Sequence, residues 1–271
     1  MRLRVTILGC GGAGGVPSLS RGWGHCDPTN PRNRRRRPSV LVAPVAPDAG
    51  QGGASPPDPI LVDTAPDLRD QLLDAGINRL SAVFYTHAHA DHVHGIDDLR
   101  EINRVMGHPI DVYADATTLD SLEQRFPYAL APQPAETNYI FKPLLISRRI
   151  NGPLTVAGVR VVAFEQDHGV MTTLGFRFGN EFAYSTDVVN LDEAAFSALE
   201  GIDTWVVGCM GWSALPTHAH VDKVLRWADR VGPRRLVLTH LGPGLDYDTL
   251  RQSLPEDAEP AHDGMVLDIP G

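Results

Sequence analysis

The stretch THAHADHVHG, residues 86–95, places four histidines and one aspartate within eight positions. Packing alone does not explain that density. Imidazole and carboxylate together suit zinc, manganese or iron. His87 and His89 stand two residues apart at the end of the apolar run AVFYT, so their side chains point to one side of a strand. Asp91 and His92 follow where the chain must leave that strand, and a turn there swings them toward the same space. Two close metals need roughly six or seven ligands and a bridging oxygen. Only part of such a set lies here, so further ligands must come from elsewhere.

The sequence offers them at the ends of other predicted strands. His168 lies in FEQDHG, Asp187 in AYSTD and His240 in RLVLTHLG. In layered α/β folds, sites are assembled at strand ends along one edge.

The elements that must position these groups follow from hydrophobic period and turn residues. Residues 2–9 alternate as a strand, and 15–38, rich in Gly, Pro, Asn and Arg, read as an ordered but irregular loop. SVLVAPV and ILVDT, 60–64, read as a hairpin capped by PDAGQGGASPPDP, 47–59, the best candidate for disorder. A helix over 66–75 precedes AVFYT, and helices fit 97–107 and 115–125. Residues 127–153 are proline-rich and carry no clear pattern. Strands return at 154–165, 173–179 and 181–185, followed by helix 192–199, strand 204–208, helix 219–231 and strand 235–239. No internal repeat and no linker divides the chain, so residues 1–271 are expected to form a single domain. Two batches of strands mixed with helices predict an α/β chain whose two sheets pack together with helices outside.

The 271 residues suffice for a substantial core. A net charge of −9 disfavours nonspecific binding to duplex nucleic acid or an anionic membrane. The start, MRLRVTILGCGGAGG, lacks the long apolar region of a signal peptide, and no run spans a bilayer. Cys10, Cys26 and Cys209 form no regular framework, which points to a reducing cytoplasm. A homodimer is open to such a chain.

H-x-H-x-D-H at 87–92, with His168, Asp187 and His240, resembles the metallo-β-lactamase superfamily, and the spacing covers nearly the whole chain. The resemblance implies a four-layer αββα sandwich. It implies one metal held by His87, His89 and His168, a second held by Asp91, His92 and His240, and Asp187 bridging them. His94 falls on a variable position of the motif. Histidine at 89, where the oxygen-reducing di-iron branch usually has a carboxylate, favours a hydrolase. The expected cofactors are two divalent metal ions, zinc or manganese, with iron acceptable to the same donors.

Three segments carry a narrower likeness: GCGGAGGVP near the start, HAHVDKVL at 218–225, and EPAHDGMVLDI near the end. Together they resemble the phosphoribosyl 1,2-cyclic phosphate phosphodiesterase group. That group typically holds a structural zinc on three clustered cysteines and a histidine three residues after the last catalytic one. Here the loop GWGHCDPTN keeps only Cys26, with His25 beside it, and the later position is Pro243, so Cys26 is expected to hold no metal.

The implied activity is hydrolysis of a small cyclic or nucleotide-like phosphodiester, because two close metals bring the pKa of water down to ~7 and offset phosphate charge. Asp91 and His218 are the catalytic candidates. His218, at the entrance of a helix, would protonate or electrostatically stabilise the leaving oxygen; Asp222 could support its charge, and His220 is its competitor. Thioester or lactone hydrolysis, or metal-stabilised binding without turnover, are the alternatives. Gly9, Gly11 and Gly14 match G-x-G-x-x-G, but Val16-Pro17 interrupts any helix, so a tight loop under the metal site is the better reading. The arginines among residues 32–37 either form a solvated loop or bind substrate phosphate.

Overall fold

The computed structural model of the chain describes residues 1–45, 56–130 and 145–271. Strands and helices are numbered in chain order. The first sheet comprises β1 (Leu3–Gly9), β2 (Ser39–Pro44), β3 (Ile60–Val62), β4 (Ala82–Phe84), β5 (Ile110–Ala114) and β6 (Leu145–Arg149), with β14 (Val266–Ile269) beside β1. The second comprises β7 (Leu154–Val156), β8 (Val159–Asp167), β9 (Thr172–Phe178), β10 (Phe182–Ser185), β11 (Thr204–Gly208), β12 (Arg235–Thr239) and β13 (Ala258–Pro260).

Strand alternation builds the layers. Val5, Val40, Val42, Ile60, Val62 and Phe84 face the second sheet and join Phe176, Phe178, Tyr184, Val206 and Val237 in the central core. Their neighbours Leu41, Leu61 and Val83 face the other way. There they meet α1 (Leu68–Asp74), α3 (Leu99–Met106), α4 (Ala116–Arg125) and α5 (Pro127–Leu130) through Leu68, Leu72, Ile102 and Leu122. The second sheet's outer face packs Trp205, Val207, Leu236 and Leu238 against α6 (Glu193–Leu199), α7 (Val221–Val231) and α8 (Tyr247–Ser253). Each large side chain buried this way contributes about 1.5–3 kcal/mol. The result is the expected αββα sandwich of two mixed sheets flanked by helices.

The helical patterns at 66–75, 115–125, 192–199 and 219–231 appear as α1, α4, α6 and α7. Asp67, at the start of the first, makes no capping bond because its carboxylate accepts from Arg37, but Asp115 and Asp192 cap α4 and α6 through the amides of Thr118 and Ala195. β5 was not expected: it is short, and His108-Pro109 before it reads as a break, yet its residues alternate buried and half-buried. α8, β13 and β14 also escaped the sequence pattern. Of the proline-rich 127–153, α5 and β6 are now placed, while 131–144 lies outside the described residues, as does most of PDAGQGGASPPDP. The β2–β3 pairing is the antiparallel one expected.

Although the sequence shows no repeat, the two sheets share one pairing scheme. Read from β14 to β6, the pairs are three antiparallel and then three parallel. Read from β7 to β13, the order is the same. β3 therefore corresponds to β10, β4 to β11 and β5 to β12.

Candidate metal centre

The chain leaves β4 at Tyr85 and turns at once into the one-turn helix α2 (Ala90–Val93), with His89 as its N-cap. That turn delivers His87 and His89 from the extended segment and Asp91 and His92 from the helix. His168 follows β8, Asp187 lies two residues past β10, and His240 follows β12. All seven expected ligands converge. His87, His89, His168 and Asp187 form one cluster, and Asp91, His92, Asp187 and His240 form another; within each, the donor atoms lie within 4.8 Å of one another. Asp187 belongs to both.

The backbone is bent to achieve this. Among the described residues four non-glycine positions have positive φ, and three of them are Asp63 (62°), Asp187 (45°) and His240 (55°). Left-handed backbone at a non-glycine residue costs roughly 1–3 kcal/mol and clusters at functional sites. The strain is concentrated where strand ends present side chains to this centre.

Outer partners settle which ring nitrogen faces inward. His168 Nδ1 lies 2.7 Å from the Thr217 carbonyl oxygen, to which it can only donate. His92 Nδ1 lies 2.7 Å from Asp63 Oδ2. Asp63 in turn accepts from the Thr86 amide and hydroxyl, both at 2.8 Å, which leaves the Thr86 oxygen to accept from His87 Nδ1 at 3.0 Å. With Nδ1 carrying the proton, each Nε2 lone pair points into the cluster, as metal ligation requires. Sequence reasoning missed Asp63 and Thr86. The signal was available: Asp63 ends the apolar run ILVDT as Asp187 ends AYSTD.

The inward atoms suit cations. His87 Nε2, Asp91 Oδ2, His92 Nε2 and His240 Nε2 are buried without a hydrogen-bond partner. Short approaches such as His240 Nε2 to Asp187 Oδ1, 2.9 Å, lack hydrogen-bond geometry, as donors aimed at a common point would. Burial opposes ionisation of Asp187, yet the imidazoles of His240 and His92 outweigh it and hold its carboxyl well below the usual range. Burial likewise opposes charging of His240, but Asp187 and Asp91 push it up to about 9. Burial and the neighbouring His92 drive His87 well below its ordinary value. Without metal, protons on rings of the second cluster balance the carboxylates; a divalent cation there would replace them. The donor set therefore fits divalent metal.

His218 lies between the clusters, its ring 4.8 Å from that of His168 and stacked 4.9 Å from that of His240. Burial, then His240, lower its pKa to about 4. The carboxylates that oppose this are Asp187 and Asp91; Asp222, the candidate from sequence, is exposed on α7. His220 is the N-cap of α7 and belongs to neither cluster. His94 is exposed and accepts from Arg125 at 3.0 Å.

The glycine loop does permit close approach. A β-carbon on Gly12 would stand 2.6 Å from Met210 Cε and 3.5 Å from the His240 ring, and one on Gly11 would meet the Arg36 carbonyl at 2.9 Å. The arginine run is only partly solvated, with Arg32 and Arg34 exposed and Arg35 buried, and its inner members are already engaged. Arg37 pairs with Asp67, Arg36 with Asp74 and Asp263, and Arg34 lies over Trp23. Arg35 is 2% exposed and donates to the carbonyls of Gly242 and Leu245, just beyond His240. The Cys26 thiol faces the same turn, 3.5 Å from the Leu245 oxygen and 3.9 Å from Arg35 Nη1, while His25 is exposed. Among the described residues no helix is long and apolar enough to cross a membrane.

Comparison with known proteins agrees with this geometry. Residues 59–241 match the model of the β-lactamase superfamily domain. A solved diphosphatase from the PhnP family is 29% identical with a TM-score of 0.82, covering 99% of this chain and 97% of its own. Zinc-bound PqqB from Methylobacterium extorquens is 20% identical with a TM-score of 0.71, covering 98% and 99% of the two chains, and shows the shared fold. A protein of Porphyromonas gingivalis named octanoyltransferase is 30% identical over 99% of this chain, which spans only 52% of that relative. With a family model across most of the chain, the protein belongs to the metallo-β-lactamase superfamily, and it is similar over its full length to a PhnP-family diphosphatase.

Proposed function

We propose that the protein hydrolyses a small disubstituted phosphate, a phosphodiester or a diphosphate ester, using two divalent cations. His87, His89 and His168 would hold one, Asp91, His92 and His240 the other, and Asp187 both. One observation carries this reading: the two carboxylate oxygens of Asp187 divide between the clusters. Oδ2 lies 3.7 Å and 3.6 Å from the Nε2 atoms of His87 and His168. Oδ1 lies 3.1 Å and 2.9 Å from those of His92 and His240. Divalent cations held this way would supply an activated water near neutral pH and offset the charge on phosphate oxygens.

The chain's own groups supply the rest. His218 reaches both clusters and is half-buried, so it is placed to hydrogen-bond a departing oxygen. An anionic phosphate against its ring favours the protonated form and opposes the lowering that burial causes. Asp63 and the Thr217 carbonyl hold the rings of His92 and His168 in register. The diphosphatase relative supports a phosphate substrate. The half-length match to an octanoyltransferase motivates testing acyl transfer chemistry alongside.

The test is turnover by protein reconstituted with zinc, manganese or iron. The panel contains cyclic ribose phosphates, aryl phosphodiesters, diphosphate esters, a thioester and a lactone. Phosphate esters are expected to turn over fastest. A thioester or lactone exceeding every phosphate overturns the substrate class, and full metal content with no turnover of any compound overturns the enzyme reading.

A further inference from the structure

The buried faces of the centre close off most approaches. His87 and His92 are 0% exposed, His240 1% and Asp187 2%. Of the seven donor residues and His218, only His89 and His218 are half-buried rather than buried, so a substrate must enter and extend past that side. The edge beside His218 is apolar. Trp212 and Leu215 are each 40% exposed and Val170 is 74% exposed, on the two loops that lead into His218 and out of His168.

Contacts join these loops into one edge. His168 is tied to the Thr217 carbonyl, and at Gly169 a β-carbon would stand 2.5 Å from the Pro216 oxygen. Val170 and Leu215 each adjoin that close contact in the chain. Three residues before Leu215, the Trp212 indole donates to the Gly244 carbonyl at 3.1 Å, which fixes its ring against the turn beyond His240. The edge thus runs from the His168 side to the His240 side, with His218 inside it. Exposed apolar surface next to a polar reaction centre marks a place for an apolar part of the ligand.

We infer that Val170, Leu215 and Trp212 form a subsite for an aromatic ring carried on the ester arm of the substrate. This deepens the proposed phosphate hydrolysis and rests on it for the position of the phosphate. The orientation-fixed indole with its N–H already satisfied offers a face or edge to a planar ring, and the two aliphatic side chains extend that surface. Phenyl esters and nucleobases share this chemistry.

The experiment holds the leaving group constant and varies the other arm: methyl, phenyl and thymidine-5′ esters of p-nitrophenyl phosphate. The metal-loaded full chain is expected to show KM at least about tenfold lower for one or both ring-bearing arms than for methyl. Which arm gains distinguishes an aryl ester from a nucleotide. In Trp212→Ala and Leu215→Ser the KM ratio should collapse toward one, while Val266→Ala, an exposed residue on β14, leaves the ratio in place. Calorimetric binding of phenyl phosphate against methyl phosphate reads the same preference without turnover. Preferential binding without hydrolysis overturns the proposed activity but supports the subsite. Hydrolysis with equal KM and equal binding for all arms overturns the subsite, as does a Trp212→Ala variant that changes oligomeric state and keeps the ratio.

Discussion

The two sheets repeat one strand arrangement, but they use their equivalent strand ends differently. Asp63 follows β3 and Asp187 follows β10, at corresponding places, and both have left-handed backbone. Asp187 stands between the clusters with one oxygen toward each. Asp63 stands behind one of them and grips the far nitrogen of His92. The connections after β4 and β11 also correspond. The first carries the compact H-x-H-x-D-H turn, and the second carries Met210 to His220 with His218 inside it. One half thus spends a single connection on ligands, while the other distributes His168, Asp187 and His240 over three strand ends. A bent strand end that aims a carboxylate inward is the shared device. Its role is decided by what faces it: histidines of both halves for Asp187, and the His92 ring of its own half for Asp63.

The sharpest way to break the comparison is to remove both aspartates in turn. Asp187→Ala should lose both metals, because its oxygens serve both clusters, and turnover should go with them. Elemental analysis after reconstitution reads this directly; retention of two ions at wild-type affinity removes Asp187 from the bridging position.

The next effect tests the two unlike connections. His218→Ala should leave metal content full and reduce hydrolysis of an ester with a poor leaving group by roughly 10²–10⁴-fold, the range of general acid catalysis. The loss should shrink on an activated aryl ester. Equal losses on both, or a larger effect from His220→Ala, reject this assignment.

Asp63→Asn should have the smallest effect. It replaces the carboxylate behind His92 but leaves every ligand in place, and such outer partners are typically worth about 10–100-fold in metal affinity. The weakening should fall on one ion of the pair, seen as a split in competition with a chelator. Equal weakening of both would show that Asp63 supports the whole centre rather than one cluster.

The β5 strand shows why sequence pattern ran out where it did. Five residues after a His-Pro break carry too little periodicity to be recognised alone; their strand character comes from pairing with β4 and β6. The same holds for Asp63, whose local signal equals that of Asp187 but whose partner, the His92 ring, is 29 residues away. The arginine run was only partly legible for a related reason. Its charge is visible in the chain, but the carboxylates of Asp67, Asp74 and Asp263 that absorb it are brought in by folding.

The residues by themselves determined the seven donor groups, the strand ends that present them and the layered α/β class. Ligand chemistry depends on side-chain type, and alternation along a strand is a local property that short stretches reveal. The resemblance already implied which donors group together with Asp187 between them; only the tertiary structure decided how the two oxygens of Asp187 divide between the clusters, and that His218 rather than His220 lies against both. It also decided that Arg35 is buried against the turn beyond His240 instead of facing substrate. These are distances between segments far apart in the chain, and they exist only once the two sheets have packed against each other.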